Sequence, residues 1–438
     1  MAAAGQRDRR QGRGFTLLWT SQAFSEFAYS TSLIVLPLLA LAITGSPSQA
    51  GVIGFVDAAA MLLAGLPAGA VADRYDRRSV MLWCEAALVA VFGGLALLLW
   101  AGQVSLPALV VLALVNGAAT AMMMAAGEAM IPGLVPEERL PRAVAMNSAR
   151  TYAGHLAGNA AGGFLLAVRN AFPFVVGCAA HLVGLVLLLF MKRQPPAAPA
   201  APADPAAPAT PAGGRGGAGE LLEGVRWLAR HPYLRLGLAF ATATNLFFGA
   251  VYFIVIASAQ GGGMATGLIG VMAGLVGAGG LLGALAAPLL MKALPGSRPI
   301  IVVLWLFAAC TAGIALLPGS WTPGVLLGAI AFAAPTSSAC FTTYQLLLTP
   351  DSHRGRVISV AGIASGAGGA IAPLAGGVLL DLTGRSTALL VCAVLAAVSA
   401  LAAVLSPVLR RAPRLPGAEP AARELPEPEL PEPEKAPA

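Results

Sequence analysis

Charged side chains are rare inside the long apolar segments of this chain, and the few that occur there are its best candidates for chemistry. Glu26 and Asp57 each stand well inside an apolar run, while Arg150 and His155 share another. At 1.5 Å per residue, Glu26 lies about 16 Å and Asp57 about 10 Å from the start of its run. Desolvation at such a depth disfavours an ionised carboxyl group, which suits the binding and release of a proton. A hydrogen-bonded structural carboxyl group is the alternative interpretation.

The two basic residues that share the run 143–168 offer two further functions. Arg150 is predicted to pair with a carboxylate, and His155 to relay a proton. The alternative for His155 is a structural imidazole that hydrogen-bonds a backbone carbonyl oxygen. No role is assigned to Glu85, another carboxyl group inside an apolar run.

Polar and aromatic side chains in the middle of apolar runs are the candidates for contact with a solute. Met122, Met123 and Met124 add a pliable apolar wall, although three consecutive residues cannot all face one cavity. This lining favours a fairly large, partly apolar solute, while helix-to-helix hydrogen bonding is the alternative role of each polar residue. The candidates are Tyr29, Asn245, Phe248, Tyr252, Thr336 and Ser337.

The composition of the chain explains why these polar groups are exceptional. Of its 438 residues, 57% are hydrophobic and 11% charged, against roughly 25% charged residues in a soluble globular protein. Too little charge is available to cover the surface of soluble domains, so lipid must be the solvent. We find twelve apolar runs, each near the length of about 20 residues needed to cross a bilayer. They are residues 15–43, 50–71, 80–101, 106–126, 143–168, 172–191, 234–257, 266–291, 300–317, 322–348, 357–380 and 388–409.

The distribution of Lys and Arg predicts the orientation of these spans. If Met1 is cytoplasmic, the basic residues outside the spans fall on the cytoplasmic side, with the exceptions of Arg169 and Arg385. This bias indicates a protein of the inner cell membrane with both termini in the cytoplasm. It also removes any need for a nucleic-acid partner to explain the net charge of +7. The five cysteines all lie inside predicted spans and are most simply small apolar residues.

A stretch rich in Pro, Ala and Gly divides the chain into two similar halves. Residues 136–166 align with 350–380 at a constant offset of 214, and the same offset brings Gly69 onto Gly283. The predicted fold class is therefore an all-α membrane protein with twelve transmembrane helices in two pseudo-symmetric six-helix bundles. We predict a basic cytoplasmic N-terminus at 1–14, the first bundle at 15–191, a disordered linker at 192–219, an interfacial helix plus the second bundle at 220–410, and a disordered cytoplasmic tail at 411–438.

The most specific motif lies between the second and third spans, in residues 65–78. Gly69 permits close helix approach, Asp73 can accept hydrogen bonds at a neighbouring helix N-terminus, and the arginines can pair with carboxylates. The alternative interpretation is that this is an ordinary cytoplasmic loop, whose arginines only follow the positive-inside bias. The predicted cytoplasmic gate comprises Gly69, Asp73, Arg74, Arg77 and Arg78, with Glu128 as a partner of Arg77 or Arg78.

This stretch resembles the loop motif of the major facilitator superfamily, G-x-L-A-D-R-x-G-R-R, with Asp76 in place of its glycine. Together with Thr44-Gly45-Ser46 and residues 132–147, it is similar to the branch that contains enterobactin exporters and macrolide efflux proteins. The resemblance spans residues 15–410 and implies the major facilitator fold and alternating access. It also implies a lipid bilayer, a small-molecule substrate and protons as partners, and a monomeric protein.

The fifth span carries a second pattern of small residues, which permits close helix packing. It resembles the antiporter motif G-x-x-x-G-P-x-x-G-G of the same superfamily, and Asn159 in place of the proline weakens the inference of export. The eleventh span keeps the proline. The residues of this packing motif are Gly154, Gly158, Asn159, Gly162 and Gly163 in the fifth span, and Pro373, Gly376 and Gly377 in the eleventh.

Absent motifs narrow the expected function. The sequence contains no Walker-type phosphate loop, so we expect no direct use of ATP by this chain. It contains no metal-ligand cluster, nucleophile elbow or catalytic dyad, so we expect no enzyme activity, metal or cofactor. The expected function is proton-coupled efflux of a drug, siderophore or other secondary metabolite. An importer or facilitator of a small metabolite is the nearest alternative, and a membrane receptor or membrane-embedded enzyme is a more distant one.

Overall fold

The chain folds into long α-helices joined by short turns. The computed structural model describes residues 2–192, 218–294, 296–317 and 319–410. The helices of the first half are α1 (Ala2–Thr44), α2 (Pro47–Arg74), α3 (Arg77–Trp100), α4 (Leu106–Leu134), α5 (Leu140–Val168) and α6 (Phe172–Leu189). Those of the second half are α7 (Ala218–Arg230), α8 (Pro232–Gly261), α9 (Thr266–Ala293), α10 (Arg298–Leu316), α11 (Thr322–Leu348), α12 (Asp351–Thr383), α13 (Arg385–Leu405) and α14 (Pro407–Arg410).

The helices account for the predicted membrane spans. Within the described residues, 11 helices are long and apolar enough to cross a membrane. The remaining predicted span is α5, which has 29 residues and is therefore long enough. Its composition is more polar because Ser148, His155 and Asn159 interrupt the apolar pattern. α5 packs against α1 on one side and α9 on another, so protein rather than lipid covers much of this helix.

Some helix boundaries differ from those predicted. The helix that contains the first predicted span begins at Ala2 rather than at residue 15. The interfacial helix α7 begins at Ala218 rather than at residue 220. Most of the predicted linker, residues 193–217, and the predicted tail, residues 411–438, lie outside the described residues.

The two halves of the chain pack their helices in the same order. In the first half, α1 packs with α5, α2 with α4, and α3 with α6. In the second half, the corresponding pairs are α8 with α12, α9 with α11, and α10 with α13. We call α1–α6 the N-bundle and α8–α13 the C-bundle. The bundles meet mainly through α2 with α12 and through α5 with α9, which gives the fold its pseudo-symmetry.

Glycines set the distance between helices within each bundle. A Cβ atom on Gly162 would lie 2.8 Å from the Ile34 side chain of α1. A Cβ atom on Gly376, which is 214 residues later, would lie 2.8 Å from the Ala250 carbonyl oxygen of α8. Helices approach this closely only where a side chain is absent. The same position therefore performs the same packing in both bundles.

The adjacent glycines set the distance between the bundles. Gly163 packs against the backbone of Gly270 in α9, and Gly377 packs against the backbone of Pro47 in α2. Gly163 and Gly377 are again related by the offset of 214. Each pair of neighbouring glycines thus contacts one helix of its own bundle and one helix of the other.

Large apolar side chains cover the outside of the molecule. Trp83, Leu285 and Leu382 are 78%, 70% and 77% exposed. Such a surface is unfavourable in water and favourable in hydrocarbon, where helices satisfy their own backbone hydrogen bonds. The protein is therefore a multi-pass membrane protein.

A buried polar cluster joins α1, α3 and α6 inside the N-bundle. Glu85 and His181 are 0% and 1% exposed, and the Glu85 Oε2 lies 2.8 Å from the His181 Nδ1. The Ser25 hydroxyl hydrogen-bonds the other carboxylate oxygen of Glu85. The ring of Phe92 lies 5.0 Å from the imidazole ring. Glu85, to which the sequence analysis assigned no role, thus holds three helices together.

Replacing one member of this pair should destabilise the protein more than replacing both. H181L leaves the Glu85 carboxyl group buried without its partner, a change that costs about 3–5 kcal/mol in buried ion pairs. E85L should have a similar effect, whereas E85L/H181L removes both polar groups and should unfold closer to wild type. Thermal unfolding of the purified protein in detergent measures the three midpoints. A double variant that loses as much as the two single variants combined would contradict the pairing.

Candidate functional site

The contacts between the bundles concentrate at one end of the molecule. We call the end at which α1 begins the basic face, because Arg77 and Lys292 lie there, and the opposite end the far face. In the half nearer the far face, a Cβ atom on Gly51 of α2 would lie 2.5 Å from the Pro373 carbonyl oxygen of α12. A Cβ atom on Gly54, one turn further, would lie 2.8 Å from the Pro373 side chain. The bundles therefore touch through their backbones near the far face.

Hydrogen bonds reinforce this closure. Asp381, near the end of α12, accepts a hydrogen bond from the Ser48 backbone N–H at 2.8 Å and one from the Ser46 hydroxyl at 3.2 Å. Both serines belong to the N-terminus of α2, whose helix dipole favours a carboxylate. The Gln260 side chain also donates to the Leu38 carbonyl oxygen at 3.0 Å between the bundles.

The basic face is open between the bundles. A Cβ atom on Gly65 or Gly69 of α2 would meet no atom within 4 Å. The Asp73 side chain is 79% exposed and forms an ion pair of 3.5 Å with Arg77 of α3. Arg74 is exposed as well. The described hydrogen bonds and ion pairs of Asp73, Arg77 and Arg78 all stay within the N-bundle, unlike those of Asp381 at the far face. We therefore interpret the basic face as the open end of a cleft between the bundles.

The arginines of the gate motif bind helix ends rather than Glu128. Arg77 donates to the Ala72 carbonyl oxygen at the end of α2 at 3.1 Å, and to the Ala129 carbonyl oxygen, five residues before the end of α4, at 2.5 Å. Arg78 donates to two carbonyl oxygens at the end of α6, at 2.8 and 2.9 Å. Helix C-termini favour cations because their last carbonyl groups lack intrahelical partners. Glu128 is exposed and instead interacts electrostatically with Arg150.

The residue that departs from the loop motif, Asp76, has a local structural role. Its side chain caps α3 by accepting a hydrogen bond from the Ser79 backbone N–H at 3.2 Å. It also accepts a hydrogen bond from the Ser79 hydroxyl at 2.5 Å. Aspartate is among the preferred residues at this position, where helix N–H groups lack partners.

Glu26 of α1 meets two basic residues of α5 in the N-bundle. The Glu26 Oε1 lies 3.6 Å from the His155 Nε2, and the His155 Nδ1 lies 3.1 Å from the Ser30 hydroxyl oxygen. Arg150 is buried and interacts electrostatically with Glu26. Gly154 permits this approach, because a Cβ atom there would clash with the Glu26 side chain. We call Glu26, Ser30, Arg150 and His155 the central site.

The observed partners of His155 differ from the structural alternative. That alternative was a hydrogen bond to a backbone carbonyl oxygen, whereas both ring nitrogens lie near side chains, those of Glu26 and Ser30. An imidazole between a carboxyl group and a hydroxyl group can pass a proton, because its two nitrogens exchange donor and acceptor roles.

The polar side of α5 faces the cleft. At 3.6 residues per turn, Ser148, His155 and Asn159 share one side of this helix, and Phe164 and Val168 share the opposite side. Phe164 and Val168 are 54% and 71% exposed, as expected for contact with lipid. The small residues that contact α1 and α9 lie between these two sides. The polar side is therefore turned toward the space between the bundles.

A second polar group lies between α1, α2 and α4. The Asp57 side chain is buried, and its Oδ1 accepts a hydrogen bond from the Asn116 Nδ2 at 2.8 Å. The same amide nitrogen donates to the Ser32 hydroxyl oxygen at 3.0 Å. Tyr29 lies within electrostatic range of this carboxyl group and of the carboxyl group in the central site. Gly117 packs against the Asp57 carbonyl oxygen, so the backbones of α2 and α4 touch at this level.

Two of the predicted solute-contact groups form aromatic surfaces. The Tyr29 hydroxyl donates to the Met61 sulfur of α2 at 3.3 Å. Phe248 and Tyr252 lie on α8 with their rings stacked and their centroids 6.3 Å apart. These rings come from both bundles, and the structure does not bring them into mutual contact.

The remaining predicted contact residues differ in exposure. Thr336 is only 2% exposed, while Ser337 is partly exposed. The Asn245 amide donates to a carbonyl oxygen of its own helix at 2.9 Å. Of the three consecutive methionines, Met123 is 5% and Met124 is 41% exposed. As predicted from helix geometry, they point in different directions.

The packing motif of α5 has one polar position. The Thr31 hydroxyl of α1 donates to the Gly158 carbonyl oxygen at 3.1 Å, which fastens α1 to α5. Asn159 replaces the family proline, and α5 continues through it without interruption. The Asn159 Oδ1 is buried and has no hydrogen-bond partner among the described residues. In α12 the corresponding proline, Pro373, is present.

Acidic and basic side chains at the depth of the membrane are confined to the N-bundle side of the cleft. Residues 236–291, 299–350, 357–380 and 386–409 of the C-bundle contain no Asp, Glu, Lys, Arg or His. The C-bundle therefore offers apolar, aromatic, hydroxyl and amide groups to the cleft. A solute that bridges the cleft meets an ionic wall on one side and an uncharged wall on the other.

Three polar residues of these sites were missed in the sequence analysis. Asn116 is the only amide side chain of α4, and His181 interrupts an otherwise apolar run. Asp381 lies near a helix C-terminus, where the dipole disfavours a carboxylate. Each of these features indicates a partner on another helix, but the sequence does not show which helix supplies it.

Comparisons with known proteins agree with this architecture. Two matches to the Major Facilitator Superfamily cover residues 18–349 and 332–435. The uncharacterized MFS-type transporter YfiS of Bacillus subtilis (strain 168) is 26% identical over 401 residues, 87% of this chain and 90% of that protein. The enterobactin exporter EntS of Escherichia coli O81 (strain ED1a) is 27% identical over 354 residues, 78% of this chain and 81% of that protein. The xylose transporter XylE from E. coli, in an inward-open conformation, has a TM-score of 0.66 at 14% identity and covers 92% of this chain and 97% of its own. The chain therefore belongs to the Major Facilitator Superfamily of membrane transporters.

Proposed function

We propose that this chain is a proton-coupled exporter of a drug, siderophore or other secondary metabolite and that it works by alternating access. The observation that carries the proposal is the central site, where Glu26 lies 3.6 Å from His155 and within electrostatic range of the buried Arg150. A carboxyl group in this place can take up a proton on one side of the membrane and release it on the other. Asp57 is the second candidate for proton binding.

Arg150 gives Glu26 a partner that can be exchanged. When Glu26 is ionised, the guanidinium group neutralises it. When Glu26 is protonated, the guanidinium group becomes available to Glu128 or to an anionic group of the solute. Proton binding and solute binding then influence each other through one arginine, as coupled transport requires.

The free energy released by one proton is enough to drive transport, so a single proton-binding group would suffice. A proton that moves down 100 mV releases about 2.3 kcal/mol. This free energy supports a gradient of roughly fifty-fold for a neutral solute. A single carboxyl group such as Glu26 is therefore enough to concentrate a substrate outside the cell.

The proposed orientation of the protein in the membrane rests on its distribution of basic residues. The proposed direction of transport rests on a relative. If the basic face is cytoplasmic, as the positive-inside bias predicts, the described conformation is open to the cytoplasm and ready to load a substrate for export. EntS, a relative at 27% identity, is an enterobactin exporter. Localisation in the inner membrane with cytoplasmic termini belongs to the same proposal.

Opening of the far face requires the contacts between the bundles to break there and to form at the basic face. The hydrogen bonds of Asp381 with the N-terminus of α2 would be lost. Asp73 and Arg74 would approach the start of α12, where Arg356 is held by Glu223 of α7 in an ion pair of 3.0 Å. The gate residues would then join the bundles on the side that is now open.

The Glu26 carboxyl group should be required for coupling but not for folding. We expect E26Q to insert normally and to lose proton-driven accumulation of substrate, because glutamine cannot bind and release a proton. Everted membrane vesicles energised with a proton gradient measure this with a panel of siderophores and macrolide antibiotics. E138Q, which removes an exposed carboxylate at the basic face, is the matched control and should accumulate substrate like wild type.

Normal accumulation by E26Q across pH 5 to 8 would show that Glu26 is not the coupling group. The same vesicles separate the exporter from its nearest alternative. An exporter accumulates solute in energised everted vesicles, whereas an importer accumulates it only in vesicles of native orientation. The departure at Asn159 from the antiporter motif keeps the importer as the second candidate.

Loss of the Asp381 charge should loosen the far face. D381N weakens the bond to the helix N-terminus by about 1 kcal/mol, which shifts the equilibrium toward the outward-open state roughly five-fold. Hydrogen exchange followed by mass spectrometry should show faster exchange in residues 46–53. D73N removes a carboxylate that does not bridge the bundles in this state, so it should not accelerate exchange there. Equal exchange in D381N and wild type would contradict this gate.

A further inference from the structure

An apolar groove lies on the outer surface of the N-bundle, between α3 and α6. It encloses about 280 Å³ and is lined almost entirely by apolar atoms. Spacings of three, four and seven residues place its α3 positions on one face of that helix. The groove therefore follows the line of contact between the two helices. Its lining residues are Gly93, Ala96, Leu97 and Trp100 of α3, and Val175 and Cys178 of α6.

Small residues form the floor of the groove, and large ones form its rim. Ala96 is 7% exposed, and a Cβ atom on Gly93 would lie 3.3 Å from the Cys178 sulfur, so the helices approach closely there. Leu97 and Trp100 are 73% and 58% exposed. At 1.5 Å per residue, Gly93 and Trp100 are about 10 Å apart along α3. The groove thus runs from the far face toward the middle of the membrane, the direction in which a lipid acyl chain lies.

A cation without a counter-charge lies at the far-face end of this groove. The Arg169 guanidinium carbon is 4.3 Å from the centre of the Trp100 ring, as in a cation–π interaction. Arg169 is exposed, and within the described residues its side chain has no ion pair or hydrogen bond. Residues 36–56, 93–113 and 160–180, which form this end of the N-bundle, contain no Asp or Glu. The guanidinium donors are therefore available to a ligand from outside the protein.

The equivalent arginine of the C-bundle binds the protein instead. Arg169 precedes α6 and Arg385 begins α13, and these two helices occupy the same place in the two bundles. Arg385 donates a hydrogen bond of 3.3 Å to the Ile314 carbonyl oxygen near the end of α10. Arg169 lies on the Trp100 ring near the end of α3, the counterpart of α10, and makes no such hydrogen bond. Only the N-bundle thus combines an available arginine with an apolar groove between these helices, among the residues described.

Trp100 places the arginine at the depth of the lipid headgroups, because tryptophan at the end of a membrane helix is typical of the interface with water. A phosphate group at this depth matches the fork of donors on a guanidinium group. The start of α6, which follows Arg169, adds the partial positive charge of a helix N-terminus. The acyl chain attached to that phosphate would extend into the groove.

We propose that the groove between α3 and α6, with Arg169 at its far-face end, binds an anionic phospholipid. A choline headgroup would bring a second cation beside the arginine, and the face of Trp100 is already covered by Arg169. Inorganic phosphate would leave the apolar groove unfilled. The site faces lipid rather than the cleft, so it depends neither on the direction of transport nor on the coupling ion.

Quenching of Trp100 fluorescence by lipids with brominated acyl chains tests this site, because bromine quenches only nearby rings. Nanodiscs of phosphatidylcholine receive the same small share of brominated phosphatidylglycerol or of brominated phosphatidylcholine. The Trp100 signal is the difference between each protein and its W100F counterpart. We expect a roughly five-fold preference for phosphatidylglycerol, the effect of one arginine near a membrane surface. R169Q should abolish this preference, whereas R385Q, which removes the equivalent arginine of the C-bundle, should keep it.

A second pair of variants tests the groove itself. A96F places a large ring on its floor and keeps the arginine, so it should weaken the selective quenching of Trp100 by phosphatidylglycerol. A402F adds the same ring at an exposed position of α13 and should behave like wild type. Inorganic phosphate added to wild type should not relieve the quenching.

Three results would overturn the proposal. Equal quenching of wild type by the two brominated lipids would mean that Trp100 meets only unselected membrane lipid. A preference that persists in R169Q would remove the arginine from the site. Relief of the quenching by inorganic phosphate would replace the phospholipid with a free anion.

Discussion

Inside a bilayer no water is available to hydrogen-bond a polar group, and the rest of this structure depends on that constraint. Helices satisfy the backbone, and glycines let those helices approach until their backbones touch, as Gly163 and Gly270 do. Buried side chains with charge must then find partners within the protein. Glu85 does so with His181, and Glu26 does so with Arg150 and His155. A buried polar residue therefore has one of two roles. It either holds helices together permanently, or it lies where a side chain would exchange its partner during transport.

These two kinds of polar residue separate by position. The Glu85 cluster lies on the α3 and α6 side of α1, within one bundle, and no motion between the bundles needs to disturb it. The central site begins at Glu26, one residue after Ser25 of the Glu85 cluster, on the side of α1 turned to the cleft. Its surroundings would change if the bundles move as proposed. The C-bundle carries no Asp, Glu, Lys, Arg or His at this depth, so it could rock against the N-bundle without breaking a charge pair in the membrane. The charged contacts that would change in the proposed mechanism, those of Asp381, Asp73 and Arg74, lie at the ends of the helices, where water can replace a lost partner.

Much of the fold could be predicted from the sequence, because apolar length and Lys and Arg bias act locally along the chain. The offset that aligns Gly162 with Gly376 even predicted which positions perform the same packing. The sequence also predicted α5 as the span 143–168, although its polar side makes this helix less apolar than the 11 other spans. For the site, counting residues along each span predicted how deep Glu26 and Asp57 lie in the membrane, but it did not predict which side chains they contact. Asn116 and Asp381 act across helices that are far apart in sequence, and Arg77 and Arg78 bind backbone carbonyl groups that no side-chain pattern reveals.

The central claim is that two rigid bundles rock so that one face closes as the other opens. Distances between spin labels measure this most directly, in a protein whose five cysteines have been replaced. Labels at the exposed positions Gln49 and Leu382 report the far face, and labels at Tyr75 and Ser359 report the basic face. In liposomes examined from pH 5 to 8, the account predicts two populations, in which a longer far-face distance always accompanies a shorter basic-face distance. Two distances that lengthen together, or that never change with pH or substrate, would contradict it.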